Sequence, residues 1–509
     1  MKRGIKISLL FIVILISILI AYQPHFDYKY PLVGDEYVHI SFAKYILEEN
    51  KLPFVNPYLS LAFPHNNFES GFHFFLAGVF SLIKADPVLY YKYFIIIFMI
   101  INSLLLFYLV MLLYKDYLTA LFSVLFFGTI KSAGGFLAHQ YFLPLTLGIT
   151  LLFLALIFFY KLESLNSKKY ILFLTITLLI TALTYPPALF FFLGIIFFYV
   201  LFMENSFHKK FNLTKKMFLV YFSLISAVLI MLFALILKYL NLLDEIIFPL
   251  GWSAVQFNAS PIFFFGVIPS VLAIIGLITI VYLKKSKIMI AWFLFSIIQI
   301  YLFYIFNTIY FIPFQRLFFF YLIGISILAG IGSSSIINNI SKFTKIKQAK
   351  TYAIAFILVI LAFHYFIVFS SPLQPINVLD DDKYNALKFL EKTYPEKSVV
   401  ITDSITSLAV YPVSGNYVVG LIDSNIGGGD PEKANKFLTG NCEDKKQIME
   451  QNFYKYLYKD NVSESFFLHK QKNLVLISNE KIEECDFIIA FYDKRPYLHD
   501  IWETYLTKK

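Results

Sequence analysis

Gly34-Asp35-Glu36-Tyr37-Val38-His39 follows the first apolar run of the chain, residues 5–22. That run falls within the about 17–25 residues that a helix needs to cross a bilayer. An acidic pair set a short way beyond it is the decisive feature. Near a membrane surface a carboxylate must be solvated, paired or put to use. The rest of the chain decides which.

The chain has 509 residues, 59% hydrophobic, 19% aromatic and 15% charged. Soluble domains average about 25% charged residues. Apolar runs recur to about residue 370, and then the composition changes. Residues 373–509 carry 17 Lys/Arg against 21 Asp/Glu, and the remainder carries 26 against 12. The net charge of +10 therefore belongs to the apolar part. It sits mostly in short loops, which marks it as a topology signal and excludes a nucleic-acid patch. The basic start Met1–Lys6 ahead of the first apolar run suits a signal peptide or an anchor. Tyr22 and Gln23 make a poor cleavage site, so the run is expected to stay as an anchor. Cys442 and Cys485 can form a disulfide if the tail faces an oxidising space, or remain two thiols.

Eleven spans are expected, over 5–22, 88–114, 117–135, 140–160, 170–184, 187–203, 216–240, 262–283, 288–308, 316–336 and 351–370. With the N-terminus inside, 18 lysines and arginines fall in the inner segments. The short outer loops and their span ends hold only Lys131, Lys238 and Arg316. That asymmetry sets the orientation and puts the tail outside. Residues 72–83 are apolar but short. They are expected to lie along the outer surface or re-enter, because a further span there would turn the Lys-rich loops outward. The expected fold is thus a polytopic α-helical membrane protein, N-terminus in and C-terminus out. Residues 1–372 form its transmembrane domain, with a long outer loop over 23–87. Residues 373–509 form a small extracytoplasmic α/β domain, with a helix over 383–392 and strands over 398–401, 417–421, 474–477 and 487–491. The glycine loop 426–430 is not a dinucleotide motif, because no strand–helix unit adjoins it.

The outer loop holds the chemistry-bearing residues. Its helices are expected near 36–50 and 68–84. Asp35 and His39 are four residues apart, so they share a face if a helix begins there. A general base needs a carboxylate beside an acceptor hydroxyl and a partner that fixes its orientation. Asp35 with His39 can supply both, and Glu36 stands beside them. Asp35 can instead cap the helix. His65, Glu69 and His73 follow in the second half of the loop as substrate-orienting candidates. Asp35, His39, Glu69 and His73 together can ligate a divalent metal, or Glu69 and His73 can mark a wet interfacial helix.

Arg316 lies at the outer end of a span, the one arginine between Arg3 and Arg495. A planar guanidinium grips phosphate with two parallel bonds. It is expected to hold a lipid phosphate, with snorkelling to the interface as the alternative. Lys131 is a second phosphate-binding candidate. His139 and Gln140, which follow the Gly134-Gly135 turn, are orienting candidates at the same level.

These features resemble the GT-C superfamily of membrane glycosyltransferases, over the first span, the acidic outer loop, the many-span body and the outer tail. The motif is most similar to that of protein O-mannosyltransferases and aminoarabinose transferases, where an Asp-Glu pair follows the first span. Here the pair is Asp35-Glu36. Their second loop motif holds His-Pro-Pro; here Pro64-His65-Asn66-Asn67 lacks the proline doublet. Oligosaccharyltransferases share the superfamily fold, but their Trp-Trp-Asp motif is absent, which argues against asparagine-linked transfer. The resemblance implies a sugar donor on polyprenyl or dolichyl phosphate and an acceptor on a protein, lipid or glycan. It also implies Asp35 as general base with inversion at the anomeric carbon, Arg316 on the departing phosphate, and a cell-membrane location with an outward-facing site.

Two other readings compete. A lipid flippase or transporter would carry charges at mid-span and paired repeats, and neither is present. A non-catalytic surface protein would leave Asp35, Glu36 and Arg316 without a role.

Overall fold

The structure is a computed structural model. It describes residues 3–59, 67, 69–130, 132, 138–165, 167, 169–201, 265–283, 287–306, 312–343, 378–393, 399–402, 405–418, 421, 436, 440–441, 443–444 and 474–476. His65, Lys131, Cys442, Cys485, the glycine loop 426–430, the spans expected over 216–240 and 351–370, and the strand expected over 487–491 lie outside these residues. The chain forms two compact units, residues 1–28 with 92–374, and residues 29–91 with 375–509.

The first unit is helical. Its described elements are α1 (Arg3–Tyr22), α5 (Tyr93–Tyr114), α6 (Tyr117–Gly128), α7 (Pro144–Leu165), α8 (Lys169–Thr184), α9 (Pro186–Leu201), α10 (Val267–Leu283), α11 (Lys287–Phe306) and α12 (Phe314–Phe343). Each expected span within the described residues coincides with one of these helices. Five are long and apolar enough to cross a membrane, and the protein is an integral membrane protein. Several bounds differ from expectation, two of them with a visible cause. The span expected from residue 88 begins at Tyr93, because Asp86 caps a separate turn, α4 (Pro87–Tyr90), by accepting from Val88 N at 2.9 Å. The span expected to reach residue 135 stops at Gly128, where Thr129 N bonds back to Phe126 O at 3.0 Å.

Lipid is as apolar as leucine, so helices in a membrane associate through close backbone approach and polar contacts. A Cβ on Gly276 of α10 would strike the Leu328 carbonyl of α12, and one on Gly332 of α12 would strike the Leu272 carbonyl of α10. Asp116 caps α6 and ties it to α12. Its Oδ2 accepts from Thr119 N at 3.0 Å and from Ser334 Oγ at 2.5 Å. The Trp292 indole of α11 donates to Phe320 O of α12 at 2.9 Å. By contrast α8 leaves Leu172, Leu179 and Leu183 exposed, as a lipid-facing helix would.

The second unit joins the loop over residues 29–91 to the tail. The loop supplies α2 (Gly34–Glu49), α3 (Ser70–Ile83) and α4; the tail supplies α13 (Asp381–Thr393), β1 (Val399–Ile401), α14 (Ser407–Ser414), β2 (Tyr417–Val418) and β3 (Leu474–Leu476). Asn50 ends α2 in the left-handed conformation, and Lys84 ends α3 the same way. The strands form a parallel sheet in the order β2-β1-β3. Helix α14 was not expected, since Val410, Pro412 and Val413 are weak helix formers. It is almost fully buried, and packing overrides propensity there.

Loop and tail are interlocked. Tyr58 accepts from Val418 N at 2.9 Å through its carbonyl and donates its hydroxyl to Leu408 O at 2.8 Å. Lys44 of α2 reaches the Pro412 and Val413 carbonyls at the end of α14, at 3.3 and 3.4 Å, and lies 3.7 Å from Glu48 and 3.8 Å from Glu391. Lys388 of α13 pairs with Asp86 at 2.8 Å, and the Tyr384 hydroxyl donates to the same Asp86 oxygen at 2.7 Å.

Candidate functional site

The acidic pair enters the second unit at the head of α2. The N-cap is Val33, so Asp35 lies inside the first turn and is not the cap. Both acids then sit at the positive end of the helix dipole, which favours their negative charge. The two differ in surroundings. Glu36 is fully buried, and its Oε2 accepts from Leu32 N at 2.6 Å, closing the turn into the helix. Asp35 is half-buried. The sequence offered the pair as one catalytic unit; this backbone contact gives Glu36 a structural task at the entry to the helix.

Tyr91 was missed by sequence reasoning, which placed it inside a span. It is fully buried just after α4. Burial first, and then the charges of Glu36, Asp35 and Glu69, push its phenol well above the usual value of 10.0. The three carboxylates thus lie within electrostatic reach of one neutral hydroxyl. The available signal was weak: an aromatic residue in a polar stretch, beside Asp86 and Lys92.

His39 and His73 are brought together, both buried. His39 Nδ1 lies 2.8 Å from His73 Nε2. His39 Nε2 lies 3.9 Å from Glu69 Oε2, an electrostatic contact rather than a hydrogen bond. On its far side His73 Nδ1 meets Asn67 Nδ2 at 2.8 Å. The rings of Phe42 and Phe72 pack against the pair. The expected four-ligand metal set does not assemble in this arrangement. The two imidazoles direct nitrogens at each other, and among the described residues no three His, Cys, Asp or Glu side chains converge on a point that could hold an ion.

The other candidates belong to the first unit. His139 is buried and donates Nε2–H to Phe127 O at 3.0 Å. Burial lowers it to about 3 against the opposing pull of that carbonyl, so the ring is neutral and offers no cation to a ligand. Gln140 is buried, and its Oε1 accepts from Ser132 N at 3.0 Å and Ser132 Oγ at 2.8 Å. These donors fix the amide's orientation, and its Nε2 makes no hydrogen bond among the described residues. Arg316 is half-buried in the first turn of α12, and its Nη1 is buried without a hydrogen-bond partner among the described residues. Phe319, one turn on, meets the His139 ring at 5.1 Å, so the loop carrying Gln140 lies against the head of α12.

No protein-family profile and no curated protein sequence matches the chain. Solved structures do match. The apo oligosaccharyltransferase of Archaeoglobus fulgidus aligns at a TM-score of 0.58 and 12% identity, over 88% of this chain and 69% of that one. The enzyme of the same organism in complex with an inhibitory peptide and a dolichol-phosphate aligns at 0.57 and 14% identity, over 88% of this chain and 68% of that one. Its complex with zinc and sulfate aligns at 0.56 and 13% identity, over 87% and 66%. The chain therefore shares the fold of this Archaeoglobus fulgidus oligosaccharyltransferase.

Proposed function

We propose that the protein is a glycosyltransferase that moves a sugar from a polyprenyl- or dolichyl-phosphate donor to an acceptor at the outer membrane face. The observation that carries this reading is Arg316. Its buried guanidinium nitrogen has no acceptor among the described residues; such a donor costs about 1–3 kcal/mol or more when left unpaired, and an anionic oxygen is the strongest partner for it. Gln140 Nε2 is a second buried donor in the same unit. A lipid phosphate is the anion that suits a membrane protein whose fold is shared with an enzyme captured with dolichol-phosphate.

In this reaction the bond from the anomeric carbon to the phosphate oxygen breaks as the bond to the acceptor oxygen forms on the opposite face. Asp35 takes the acceptor proton. A carboxylate is a weak base for an alcohol, but the proton can leave late, as the new bond forms. Arg316 stabilises the charge that builds on the departing phosphate. The acids at the head of α2 support these roles, because Asp35 keeps partial exposure while Glu36 is tied to the backbone. No step is routed through a metal, since the residues expected to hold one do not assemble around it.

The test is reconstitution of the purified protein in liposomes with polyprenyl-phosphate sugars and an acceptor extract. Wild type is expected to release polyprenyl phosphate and glycosylate the acceptor. Asp35→Asn is expected to fold and insert normally and to lose at least about 100-fold in transfer, the lower range for a positioned general base. Transfer at the wild-type rate in that variant would remove Asp35 from this role.

A further inference from the structure

Asn67, His73, His39 and Glu69 are ordered by a hydrogen-bond pattern that has only one direction. Asn67 is the starting point. Its Oδ1 accepts from Glu69 N at 3.1 Å, and its Nδ2 donates to Pro53 O at 3.0 Å. Turning the amide over would set N–H against N–H and carbonyl against carbonyl, so two backbone groups fix it. Nδ2 carries a second hydrogen, which points at His73 Nδ1, 2.8 Å away. His73 Nδ1 must therefore accept, and its proton sits on Nε2. That proton points at His39 Nδ1, 2.8 Å on, which must accept in turn. The His39 proton then sits on Nε2, the edge that faces Glu69 Oε2 at 3.9 Å. Asn67 is 8% exposed, His39 7% and His73 2%, so water does not compete freely for these nitrogens.

We propose that Asn67, His73 and His39 are positioning residues, a one-way chain that sets both imidazole tautomers, aims the His39 N–H at Glu69, and keeps both imidazoles from serving as metal ligands. The tautomers follow from the contacts alone. The consequence for transfer rests on the glycosyltransferase reading, with Glu69, like Asp35 and Glu36, within electrostatic reach of Tyr91.

Solid-state NMR of the full protein in lipid, labelled with nitrogen-15 in histidine rings, reads the tautomers whether or not the enzyme turns over. Difference spectra against His39→Gln and His73→Gln assign the two rings. Both are expected to be neutral with the proton on Nε2, and to stay so when magnesium or zinc is added. Asn67→Asp keeps the size of residue 67 but replaces its donor by an acceptor. It is expected to move both protons to Nδ1 and turn a lone pair toward Glu69. Its turnover is expected to fall by up to about 100-fold, as when a reacting group is misplaced by an ångström or so, with KM for the donor little changed. A wild-type proton on Nδ1 of either ring overturns the proposal. So does a metal-induced shift of both ring signals, or an Asn67→Asp variant with unmoved tautomers. Reversed tautomers with unchanged turnover would overturn the positioning role, whereas the outcome for Asp35→Asn tests the transfer reaction separately.

Discussion

Lys388 of α13 places its ammonium 2.8 Å from Oδ2 of Asp86, the residue that caps α4. One side chain of the tail thus closes a contact with a loop residue about 300 positions earlier in the chain. Burial would raise the Asp86 carboxyl, but Lys388, Tyr384 and the Val88 amide outweigh it and hold it below 3.8. For Lys388, burial is likewise outweighed by Asp86 and Glu391, which lift it above 10.5. A lowered acid contributes stability that is present above its unfolded value and lost as the pH falls through the folded one. A raised base contributes stability that is present below 10.5 and lost above the folded value. The pair is expected to be intact from about pH 4 to 10. Asp86→Asn is expected to lower stability by about 2 kcal/mol at neutral pH and to flatten the acid limb of unfolding, measured by chemical denaturation from pH 3 to 7.

Tyr91 and Tyr411 set the alkaline limit of the same unit. Burial, and then nearby carboxylates, push both phenols above 10.0. Their contribution is complete below 10 and declines as the unfolded chain begins to ionise. Stability is expected to fall above pH 10 by about 1.4 kcal/mol per pH unit for each tyrosine. Tyr91→Phe and Tyr411→Phe are each expected to remove one proton from that slope. A slope unchanged in both variants would contradict the burial of the two hydroxyls.

Arg316→Lys keeps the charge and loses the planar fork. KM for the lipid-phosphate donor is expected to rise at least about tenfold, or about 1.4 kcal/mol. Gln140→Leu removes a buried amide donor that has no acceptor among the described residues. It also takes away the oxygen that accepts from Ser132 N and Ser132 Oγ, so it is expected to lower stability by about 1–3 kcal/mol and to weaken donor binding. Steady-state kinetics and thermal denaturation on the same preparations check both. A loss of stability without any change in KM would assign Gln140 to the fold alone.

Gly276→Ala and Gly332→Ala force a methyl group onto a backbone carbonyl of the facing helix. Neither carbonyl can swing aside as a side-chain end could. Each variant is expected to cost about 1–3 kcal/mol through overpacking of α10 against α12. Gly78, with nothing within 4 Å of an added Cβ, is the control and is expected to tolerate alanine.

The sequence was informative where the signal was local. Apolar length located the described membrane helices, and the polar-apolar alternation located α2, α3 and α13. Their ends were less visible: Asp86 opens a separate turn, and only a contact with Val88 N distinguishes that turn from the start of a span. Glu36 looked equivalent to Asp35 because its bond to Leu32 N depends on how the chain enters the helix. The union of residues 29–91 with the tail left no trace in the sequence, since contacts such as Tyr58 to Leu408 join positions 350 apart. The direction of the histidine chain was also hidden. It is dictated by Asn67 and the Pro53 carbonyl, one of them a backbone atom without a side-chain signature.

That interlocking has a consequence for how the protein is made. The segment bearing Asp35 leaves the ribosome early, but Tyr384, Lys388 and Leu408, which complete its packing, are synthesised some 300 to 350 residues later. At about 5–20 residues per second that delay is on the order of tens of seconds. Through that interval the nascent loop lacks the tail side chains that pack against it. A chain terminated before these residues would hold its acids in an unfinished setting, so competence arrives only after the segment through Val418 has been made.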